Sequence, residues 1–458
     1  MRAIVGNQII IHNCTSKFER VLRDALEFDN PEYYKKQERG LWLGNTPRKI
    51  QLYSKCGNDI IIPFGMLPEV FRAKKDFETI TNCIQPPEHI DYRSTISLYG
   101  YQEDAVSEAL RKKQGVIVAP CGAGKTQIGL EIAARLGGRT LWLTHTHDLL
   151  AQSMERAKAL YGLDESEYGT ITSGKVNVGK AITFATVQTM AGIDLPNYRN
   201  CWDVVIVDEA HHVAGTPTRL MMFYKVINNL SARYKYGLTA TPKRSDGLTP
   251  CMYALLGEKI CEIDRESVHG TTCKVKVCVN HTNYEPDMGT IINPDGTLSY
   301  TALITDITEN KERNTQIVQD AVTRAGRCLI LTERVKHINI LYDMLKPYTG
   351  KIRALSGVVS KKERKQALQE LESGEIDILI ATYAIAREGL DVPSLRYLIM
   401  ATPQKNEVTV TQAAGRVARI APGKRYGMII DYEDDFGMLK SWVRKRINIY
   451  KNLGYELQ

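Results

Sequence analysis

The chain has 458 residues, which predicts two to four domains at a prior of roughly 150 residues each and excludes a small disulfide-stapled scaffold. Hydrophobic residues make up 43% and charged residues 24%, which excludes both a disordered chain and a membrane channel. Lys and Arg number 60 against 52 Asp and Glu, and this net charge of +8 favours nucleic acid over an acidic protein as partner.

The amino-terminal sequence and the cysteines indicate a cytoplasmic protein. The apolar stretch in MRAIVGNQIIIHNC is too short to cross a membrane and lacks the cleavage pattern of a signal peptide. Ten cysteines occur singly, with no C-x-x-C pair, so we expect reduced thiols and no zinc site. The nearest pair, Cys273 and Cys278, falls on an alternating segment typical of a strand. We expect no membrane association and a cytoplasmic location, in a bacterium or, for a phage-encoded protein, in its host.

The chain divides into four segments. Residues 1–95 combine aromatic and charged clusters, including Tyr33–Lys36 and Trp42, and predict a small α+β accessory domain, for which DNA binding and a packing or partner-docking role both stay open. Residues 96–258 alternate helical stretches with short apolar runs, which read GVIVA, TLWLT, AITFAT, DVVIVD and YGLTA. This alternation is typical of a parallel sheet covered by helices.

A second block repeats the pattern. Residues 259–435 begin with a connector and continue with the apolar runs CLILT, IRALS, DILIAT, LRYLIMAT and YGMIIDY. Residues 436–458 predict a basic helix, in which we interpret Arg444, Lys445 and Arg446 as a solvated face. The predicted fold class is therefore α/β, with two tandem parallel-sheet domains behind a small α+β domain.

A phosphate-binding loop follows the run GVIVA. It consists of Pro120, Cys121, Gly122, Ala123, Gly124, Lys125 and Thr126, and a helical stretch comes next. Glycines allow backbone N–H groups to surround phosphate oxygens at a helix N-terminus, where Lys125 adds a positive charge. Thr126 is a candidate Mg²⁺ ligand. Ala119 stands where such loops usually have their first glycine.

The run DVVIVD ends at Asp208, and a second acid, Glu209, follows it. Asp208 is positioned to support Mg²⁺, and Glu209 to polarise an attacking water. His211 and His212 follow, but neighbouring side chains do not converge on one ion, so we predict no metal site there. A phosphate loop followed by a carboxylate pair predicts a nucleotide-hydrolysing site that uses ATP and Mg²⁺.

The sequence D-E-A-H after a phosphate loop resembles superfamily 2 helicases of the DEAH-box type, and other segments extend the resemblance. They are GLTATPKRSDG at 237–247, similar to motif III; ATYAIAREGLD at 381–391, similar to motif V; and QAAGRVAR at 412–419, similar to motif VI. LYGYQ at 98–102 and the segment 311–314 resemble the branch that includes XPB-like proteins, UvsW-like phage helicases and restriction-enzyme motors.

This resemblance implies two RecA-like domains with ATP bound between them. It implies roles for Gln412, Arg416 and Arg419 in catalysis, because arginine can stabilise charge on the γ-phosphoryl group. Further nucleotide contacts are implied for Gln102 on the adenine edge, and for Gly389 and Asp391. Coupling of hydrolysis to the nucleic acid is implied for His211, Thr239 and Thr241.

The resemblance also implies where nucleic acid binds. The candidate contacts are Thr144, His145, Thr186, Gln188 and Thr382, whose hydroxyl, imidazole and amide groups suit phosphate oxygens. Any one of these threonines could instead be a helix cap. The Thr-Ala-Thr of motif III and the final His of motif II favour DNA over RNA, and the family suggests 3′-to-5′ movement with unwinding or remodelling of duplex or branched DNA.

Three other functions stay open. The chain could be the ATPase motor subunit of a restriction or defence assembly, in which case its activity would require a partner protein. It could also be an RNA helicase, or a switch that senses nucleic acid without unwinding it. No acid pair with a downstream E-x-K supports a fused nuclease, since Glu363 and Lys365 lie in a charged helical stretch.

Overall fold

The protein is described from a computed structural model that covers residues 1–120, 122–214, 217–240, 247–264, 266–268, 273–355, 359–387 and 392–458. The chain folds as two compact units, Met1–Ser267 and Val268–Gln458. Unit 1 contains the amino-terminal segment and the first parallel sheet, and unit 2 contains the second parallel sheet.

Unit 1 begins with a small α+β module. Its strands are β1 Arg2–Val5, β2 Gln8–His12, β3 Glu27–Asp29, β4 Lys49–Gln51, β5 Ser54–Cys56, β6 Asp59–Pro63 and β7 Thr79–Asn82. Its helices are α1 Ser16–Leu26, α2 Pro31–Glu38 and α3 Leu67–Arg72, with 3₁₀ helices at Phe64–Met66 and Lys74–Asp76. Five strands form a sheet in the order β5-β6-β2-β1-β7, and β3 pairs with β4 separately. Alternate residues of β1 and β2 are buried, which gives the sheet one apolar face.

The rest of unit 1 is an α/β domain. Its strands are β8 Gln114–Val118, β9 Thr140–Thr144, β10 Tyr168–Thr172, β11 Lys175–Asn177, β12 Ile182–Thr186, β13 Val204–Val207, β14 Tyr234–Thr239 and β15 Lys259–Glu262. Its helices are α4 Gly100–Lys112, α5 Lys125–Leu136, α6 His147–Leu160, α7 Val187–Gly192, α8 Pro217–Asn229 and α9 Thr249–Leu256, with 3₁₀ helices at Glu165–Glu167, Leu195–Tyr198, Ala210–Ala214 and Glu266–Val268.

The strand order of this domain is β11-β10-β12-β9-β13-β14-β8-β15. Only β11 runs antiparallel to its neighbour. Every residue of β8, β9, β12 and β13 is buried, because helices cover both faces of the sheet. Parallel strands end at one edge, so the loops after β8, β13 and β14 are brought side by side.

The amino-terminal module shares one hydrophobic core with the α/β domain. The buried Lys235 at the start of β14 donates hydrogen bonds to the carbonyls of Asn7, at 3.3 Å, and Ile227, at 3.0 Å. Its ammonium lies 4.6 Å from the centre of the Phe64 ring, and burial lowers its pKa to about 7. The predicted accessory segment 1–95 is thus packed into unit 1.

The division between the two α/β domains falls later than the predicted boundary of 258 and 259. Strand β15 pairs with β8 and so belongs to the first sheet. Because backbone hydrogen bonds tie this strand to unit 1, the two units divide after Ser267.

Unit 2 is built on a second, fully parallel sheet. Its strands are β16 Lys274–Thr282, β17 Cys328–Thr332, β18 Ile352–Leu355, β19 Ile378–Thr382, β20 Tyr397–Met400, β21 Tyr426–Asp434 and β22 Glu456–Leu457, ordered β18-β19-β17-β20-β21-β16-β22. Its helices are α10 Met288–Ile291, α11 Tyr300–Glu309, α12 Lys311–Val322, α13 Val335–Leu345, α14 Lys361–Ser373, α15 Tyr383–Arg387, α16 Glu407–Val417 and α17 Gly437–Asn452.

Helix α17 corrects one sequence interpretation. Arg444 and Lys445 are exposed, as a solvated face requires, but Arg446 is buried. Its guanidinium binds both carboxylate oxygens of Asp431 on β21, at 2.7 and 2.9 Å, and the Tyr450 hydroxyl donates to the same carboxylate. Arg446 therefore anchors the terminal helix to the sheet. Within the described ranges, none of the helices combines the length and hydropathy that a bilayer span requires.

The shared core of unit 1 makes a stability prediction. Gly65 lies so close to α9 that an added Cβ would overlap the backbone of Ala254 and Leu255. We expect Gly65→Ala to destabilise unit 1 by about 1–3 kcal/mol, because backbone atoms cannot move aside as a flexible side chain can. Urea unfolding followed by circular dichroism measures the change. Gly6→Ala in the same module is the control, since the nearest atom to its added Cβ is 3.8 Å away. Equal midpoints for the two variants would contradict the close packing.

Candidate nucleotide-binding site

The phosphate loop joins β8 to α5 with the geometry that its sequence predicts. Gly122 and Gly124 have φ angles of 88° and 74°, in the left-handed region that favours glycine. Helix α5 begins directly afterwards at Lys125, so its first backbone N–H groups have no partners within the helix. These groups and the helix dipole suit a phosphate anion. Pro120 and Ala123 belong to the described part of this loop, whereas Cys121 lies outside the described residues.

Gln102 on α4 forms a hydrogen bond with the phosphate loop. Its side-chain nitrogen donates to the Ala123 carbonyl at 2.9 Å, and its side-chain oxygen accepts from the Tyr99 backbone N–H at 3.0 Å. A Cβ at Gly124 would overlap the Gln102 amide, so a larger residue there would displace this contact. Both ends of the buried amide therefore bind the protein itself. The contact with adenine expected for Gln102 stays a prediction.

The two acids follow β13, two strands away from the loop. Glu209 has a φ of 48°, a left-handed backbone conformation that costs free energy in residues other than glycine. Backbone strain of this kind is often found at functional sites. The Asp208 carboxylate accepts from the Glu209 N–H at 2.9 Å and also hydrogen-bonds Ser153. Burial and then the charge of Glu209 raise the pKa of Asp208 to about 7, against the opposing effect of Lys125. A cation beside Asp208 would offset the cost of its burial.

Lys125 faces these acids. Its ammonium lies 3.8 Å from a Glu209 carboxylate oxygen. Lys125 therefore places a cation where the loop would receive phosphates. The two carboxylates lie on the opposite side of that position. This arrangement can bind a charged phosphate chain and, through Glu209, orient a water against it.

The donor set fits Mg²⁺ bound together with a nucleotide. Thr126 offers a hydroxyl and Asp208 a carboxylate, the hard oxygen donors that Mg²⁺ prefers. In the described part of the chain, no group of three or more His, Cys, Asp or Glu side chains could hold a metal ion alone. Phosphate oxygens and water would have to complete the coordination, as is usual for Mg²⁺ in nucleotide sites.

The predicted coupling residues meet beside Glu209. The His211 ring nitrogen Nδ1 lies 3.1 Å from the Thr239 hydroxyl at the end of β14 and 3.3 Å from a Glu209 oxygen. His211 and Thr239 are both buried. Strand β14 lies between β8 and β13, so Thr239 is next to both parts of the site. The third predicted coupling residue, Thr241, lies outside the described residues.

The predicted nucleic-acid contacts of unit 1 lie at the same sheet edge. Thr144 and Thr186 pair across β9 and β12, and the Gln188 side chain donates to the His145 carbonyl at 2.9 Å. Both threonines are buried: the Thr144 hydroxyl donates to the Thr146 carbonyl, and the Thr186 hydroxyl to Thr189 Oγ1, each at 3.0 Å. Their hydroxyls therefore brace the loops, while Gln188 is exposed.

His145 links this edge to the acids. Its ring centre is 3.5 Å from that of His212, which in turn is 4.2 Å from that of His211. These rings connect the end of β9 to the segment that carries Glu209. Sequence reasoning considered His212 only as a metal ligand and missed this contact, because it joins two loops that are distant in sequence.

Three of the predicted residues of unit 2 lie on α16 or directly after it. Gln412 and Arg416 are one turn apart on this helix and are half-buried, and Arg419 follows its end. The Lys424 ammonium donates to the Arg419 carbonyl at 2.8 Å and holds the backbone there, and burial lowers the pKa of Lys424 to about 8. Thr382 ends β19 and is half-buried. Gly389 and Asp391 lie outside the described residues.

Sequence reasoning missed a buried polar cluster in unit 2. Arg313 on α12 binds both oxygens of Asp434, at 2.6 and 3.3 Å. The side-chain oxygen of the next residue, Asn314, accepts a hydrogen bond from His337 Nε2 at 2.9 Å, and the other His337 nitrogen lies 2.8 Å from the Thr332 hydroxyl. Segment 311–314 was noticed only as a family marker. The partners could not be inferred because Asp434 and His337 come from separate elements.

Comparisons with known proteins agree with this geometry. Residues 95–244 match the family of the res subunit of type III restriction enzymes, and residues 311–421 match the helicase conserved C-terminal domain. The chain is 26% identical over 429 residues to a putative ATP-dependent RNA helicase of Acanthamoeba polyphaga mimivirus, covering 89% of this chain and 77% of that one. It is also 26% identical to the DNA 3′–5′ translocase XPB2 of Sulfurisphaera tokodaii, covering 76% and 84%. The chain belongs to the superfamily 2 helicases.

Solved structures support the fold of this superfamily 2 enzyme. The Saccharomyces cerevisiae Dbp5 structure bound to RNA and ADP–BeF3 superposes with a TM-score of 0.57 at 16% identity, covering 87% of this chain and 93% of that one. The predicted fold class, with two RecA-like domains, is confirmed. The predicted activity of an ATP-hydrolysing helicase or translocase that binds nucleic acid is confirmed as well.

The buried cluster of unit 2 predicts acid sensitivity. Burial and then the charge of Arg313 lower the pKa of His337 to about 3. In the unfolded chain this histidine takes up a proton near pH 6.5, whereas in the folded protein it stays neutral until about pH 3. The contribution of neutral His337 to the free energy of unfolding is therefore complete above pH 6.5 and decreases as the pH falls toward 3.

Between pH 6 and 4, the free energy of unfolding should fall less steeply with decreasing pH in His337→Gln than in the original protein. The difference in slope should be up to about 1.4 kcal/mol per pH unit. Urea unfolding at several pH values measures this slope. His281→Gln, which changes an exposed histidine of unit 2, is the matched control. If His337→Gln and His281→Gln give the same slope as the original protein, the account of this cluster is wrong.

Proposed function

We propose that the protein hydrolyses ATP to move 3′ to 5′ along DNA and thereby unwinds or remodels duplex or branched DNA. The observation that carries the proposal is the meeting of Lys125, Asp208 and Glu209 where β8 and β13 end. A cation at the start of a helix, opposite two carboxylates, suits phosphoryl transfer to water.

The residues of unit 1 divide this chemistry among them. Lys125 and the backbone of the loop bind the β- and γ-phosphates, and Glu209 orients the attacking water. Thr126 and Asp208 would hold Mg²⁺. When bound, this ion supplies positive charge that neutralises the phosphates during transfer.

The roles in unit 2 follow from the family motifs. We infer that Arg416 and Arg419 stabilise charge on the γ-phosphoryl group and that Gln412 assists them, since a planar guanidinium can bind two phosphate oxygens at once. Gly389 and Asp391 remain candidate nucleotide contacts.

Nucleic acid would bind near Gln188 and His145, with Thr382 contributing from unit 2. The exposed Gln188 amide supports a phosphate contact. For Thr144 and Thr186 the internal hydrogen bonds favour an indirect role, in which they shape the loops that carry His145 and Gln188. His211, Thr239 and Thr241 would transmit the state of the nucleotide to this edge.

DNA is the proposed substrate in preference to RNA. The Thr-Ala-Thr at 239–241 and the final His of the D-E-A-H sequence support DNA, and so does the similarity to a named DNA translocase. A similarity at the same 26% identity, and over more of this chain, to a named RNA helicase keeps RNA as an alternative. A cytoplasmic location, predicted from the sequence, stays part of the proposal.

A second candidate function is that of the motor subunit of a restriction or defence assembly. The match of residues 95–244 to the res subunit family favours it. The two functions differ in one requirement, because a restriction motor would need its partner proteins for activity, whereas an independent translocase would not.

The test is an ATPase assay of the whole chain with single-stranded DNA, blunt duplex, forked DNA and RNA in separate reactions. We expect DNA to raise turnover by about tenfold or more, since ordering of catalytic groups by a partner gives large accelerations in related chemistry. Lys125→Ala should reduce stimulated turnover by about 10²-fold or more, while Lys112→Ala, an exposed lysine on α4, should not. Stimulation by RNA alone would contradict the DNA proposal. No stimulation by any nucleic acid would favour the restriction motor.

A further inference from the structure

A surface segment of the amino-terminal module has no role in the site described above. Residues 27–51, here called the β3–β4 excursion, leave the module through β3, form α2 and a loop, and return through β4. Helix α2 has no buried residue, and the loop that follows is mostly exposed. The two strands contact the core of unit 1 through Phe28 and Ile50, whereas α2 and the loop add little to it.

Polar contacts fix the shape of the excursion. The buried Asn30 side chain accepts from the Glu32 N–H at 3.0 Å and donates to the Pro47 carbonyl at 2.7 Å. The Asn30 backbone N–H donates to the Arg48 carbonyl at 3.0 Å. At the other end, the Lys36 ammonium donates to the Thr46 hydroxyl at 2.8 Å. The loop therefore holds a defined conformation without an apolar core.

The excursion presents a tryptophan to solvent. Trp42 is 89% exposed, whereas the other three tryptophans of the chain are buried. Gly44 has a φ of 51° and lies against the Trp42 ring, since an added Cβ would come within 2.9 Å of it. Tryptophan is enriched among the residues that contribute most to binding, so an ordered loop that exposes one is a candidate binding site.

Basic residues flank Trp42, although the whole excursion is nearly balanced, with five Lys and Arg residues against four acids. Two of the cations, Lys36 and Lys49, pair with Glu32 and Glu27, at 3.2 and 3.0 Å. Lys35, Arg39 and Arg48 are exposed, and the Arg48 guanidinium donates to the Tyr34 hydroxyl at 3.1 Å. The excursion thus combines a flat aromatic surface with several cations on a fixed scaffold.

We propose that the β3–β4 excursion is a second nucleic-acid contact, in which Trp42 stacks on an unpaired base and Lys35, Arg39 and Arg48 bind the neighbouring phosphates. This inference rests on the proposed function of a nucleic-acid motor. Single-stranded nucleic acid matches the chemistry because it offers π faces and phosphate charges at regular intervals. An anionic membrane fits less well, since an interfacial helix needs a broad apolar face and α2 is mostly polar.

The first test measures binding of a labelled deoxythymidine oligonucleotide of about 20 nucleotides to the whole chain without ATP. We expect Trp42→Ala to weaken binding about tenfold, a typical loss for one stacked base, and Trp42→Phe to retain most of the affinity. Tyr348→Ala is the matched control, because Tyr348 is an aromatic residue of unit 2 that is 66% exposed. Equal affinities for Trp42→Ala and Tyr348→Ala would overturn the proposal.

Tryptophan fluorescence gives a readout that does not depend on activity. Since Trp42 is the exposed tryptophan, we expect the oligonucleotide to quench part of the emission of the original protein and to have little effect on Trp42→Ala. Substituting Lys35 and Arg39 by Gln should lower the salt dependence of binding, by about one unit of slope or less for each lost phosphate contact. Quenching by anionic lipid vesicles but not by the oligonucleotide would assign the surface to a membrane instead.

A final measurement separates this inference from the proposed function. At saturating DNA, Trp42→Ala should hydrolyse ATP as fast as the original protein but should need about tenfold more DNA for half-maximal stimulation. If DNA stimulates the ATPase and Trp42→Ala changes neither binding nor this concentration, only the excursion proposal fails. If no nucleic acid stimulates the ATPase of the original protein, the proposed function fails, and the quenching experiment still decides whether Trp42 binds a strand.

Discussion

The electrostatic balance around Asp208 is the constraint on which the rest of unit 1 depends. Two carboxylates and one ammonium lie together at the end of buried strands, where water cannot screen them well. The raised pKa of Asp208 and the left-handed conformation of Glu209 show that this arrangement costs free energy in the protein alone. A phosphate chain with its cation would offset that cost by giving each charge an opposite partner.

The scaffold holds these groups through one central strand. Strand β14 lies between the phosphate loop strand β8 and the acid-bearing strand β13. Its carboxyl end supplies Thr239 to His211, and near its amino end Lys235 donates to the amino-terminal module. The module therefore packs on the strand that carries Thr239, a predicted coupling residue. The amino-terminal module thus has two separate properties. It stabilises unit 1 through the shared core, and it exposes Trp42 to solvent.

Much of the site could be predicted from sequence because its chemistry lies in short contiguous motifs. The loop at 120–126 depends on glycines with positive φ, and Asp208 with Glu209 depends on a buried strand that ends in acids, so local pattern was enough. The parallel sheets were predictable for the same reason, since apolar runs alternate with helical stretches.

The remaining features depend on contacts between distant segments. Arg313 with Asp434, and Arg446 with Asp431, are charges that a sequence pattern assigns to the surface, and only the packing of helices on β21 buries them. Three other features also depend on contacts between distant segments. They are the burial of Thr144 and Thr186, the ring contact of His145 with His212, and the close packing of Gly65 on α9. No periodicity in one segment reports its partner in another.

The most direct test of the account is single-turnover ATP hydrolysis by Glu209→Gln, measured together with ATP binding. Glutamine keeps the shape of the side chain and removes its charge, so ATP should bind within a few-fold of the original affinity while hydrolysis falls by about 10²–10⁴-fold. Glu165→Gln, an exposed acid of unit 1, should hydrolyse ATP normally. Hydrolysis by Glu209→Gln at the original rate, or a loss of ATP binding as large as the loss of rate, would contradict the role of Glu209 in activating water.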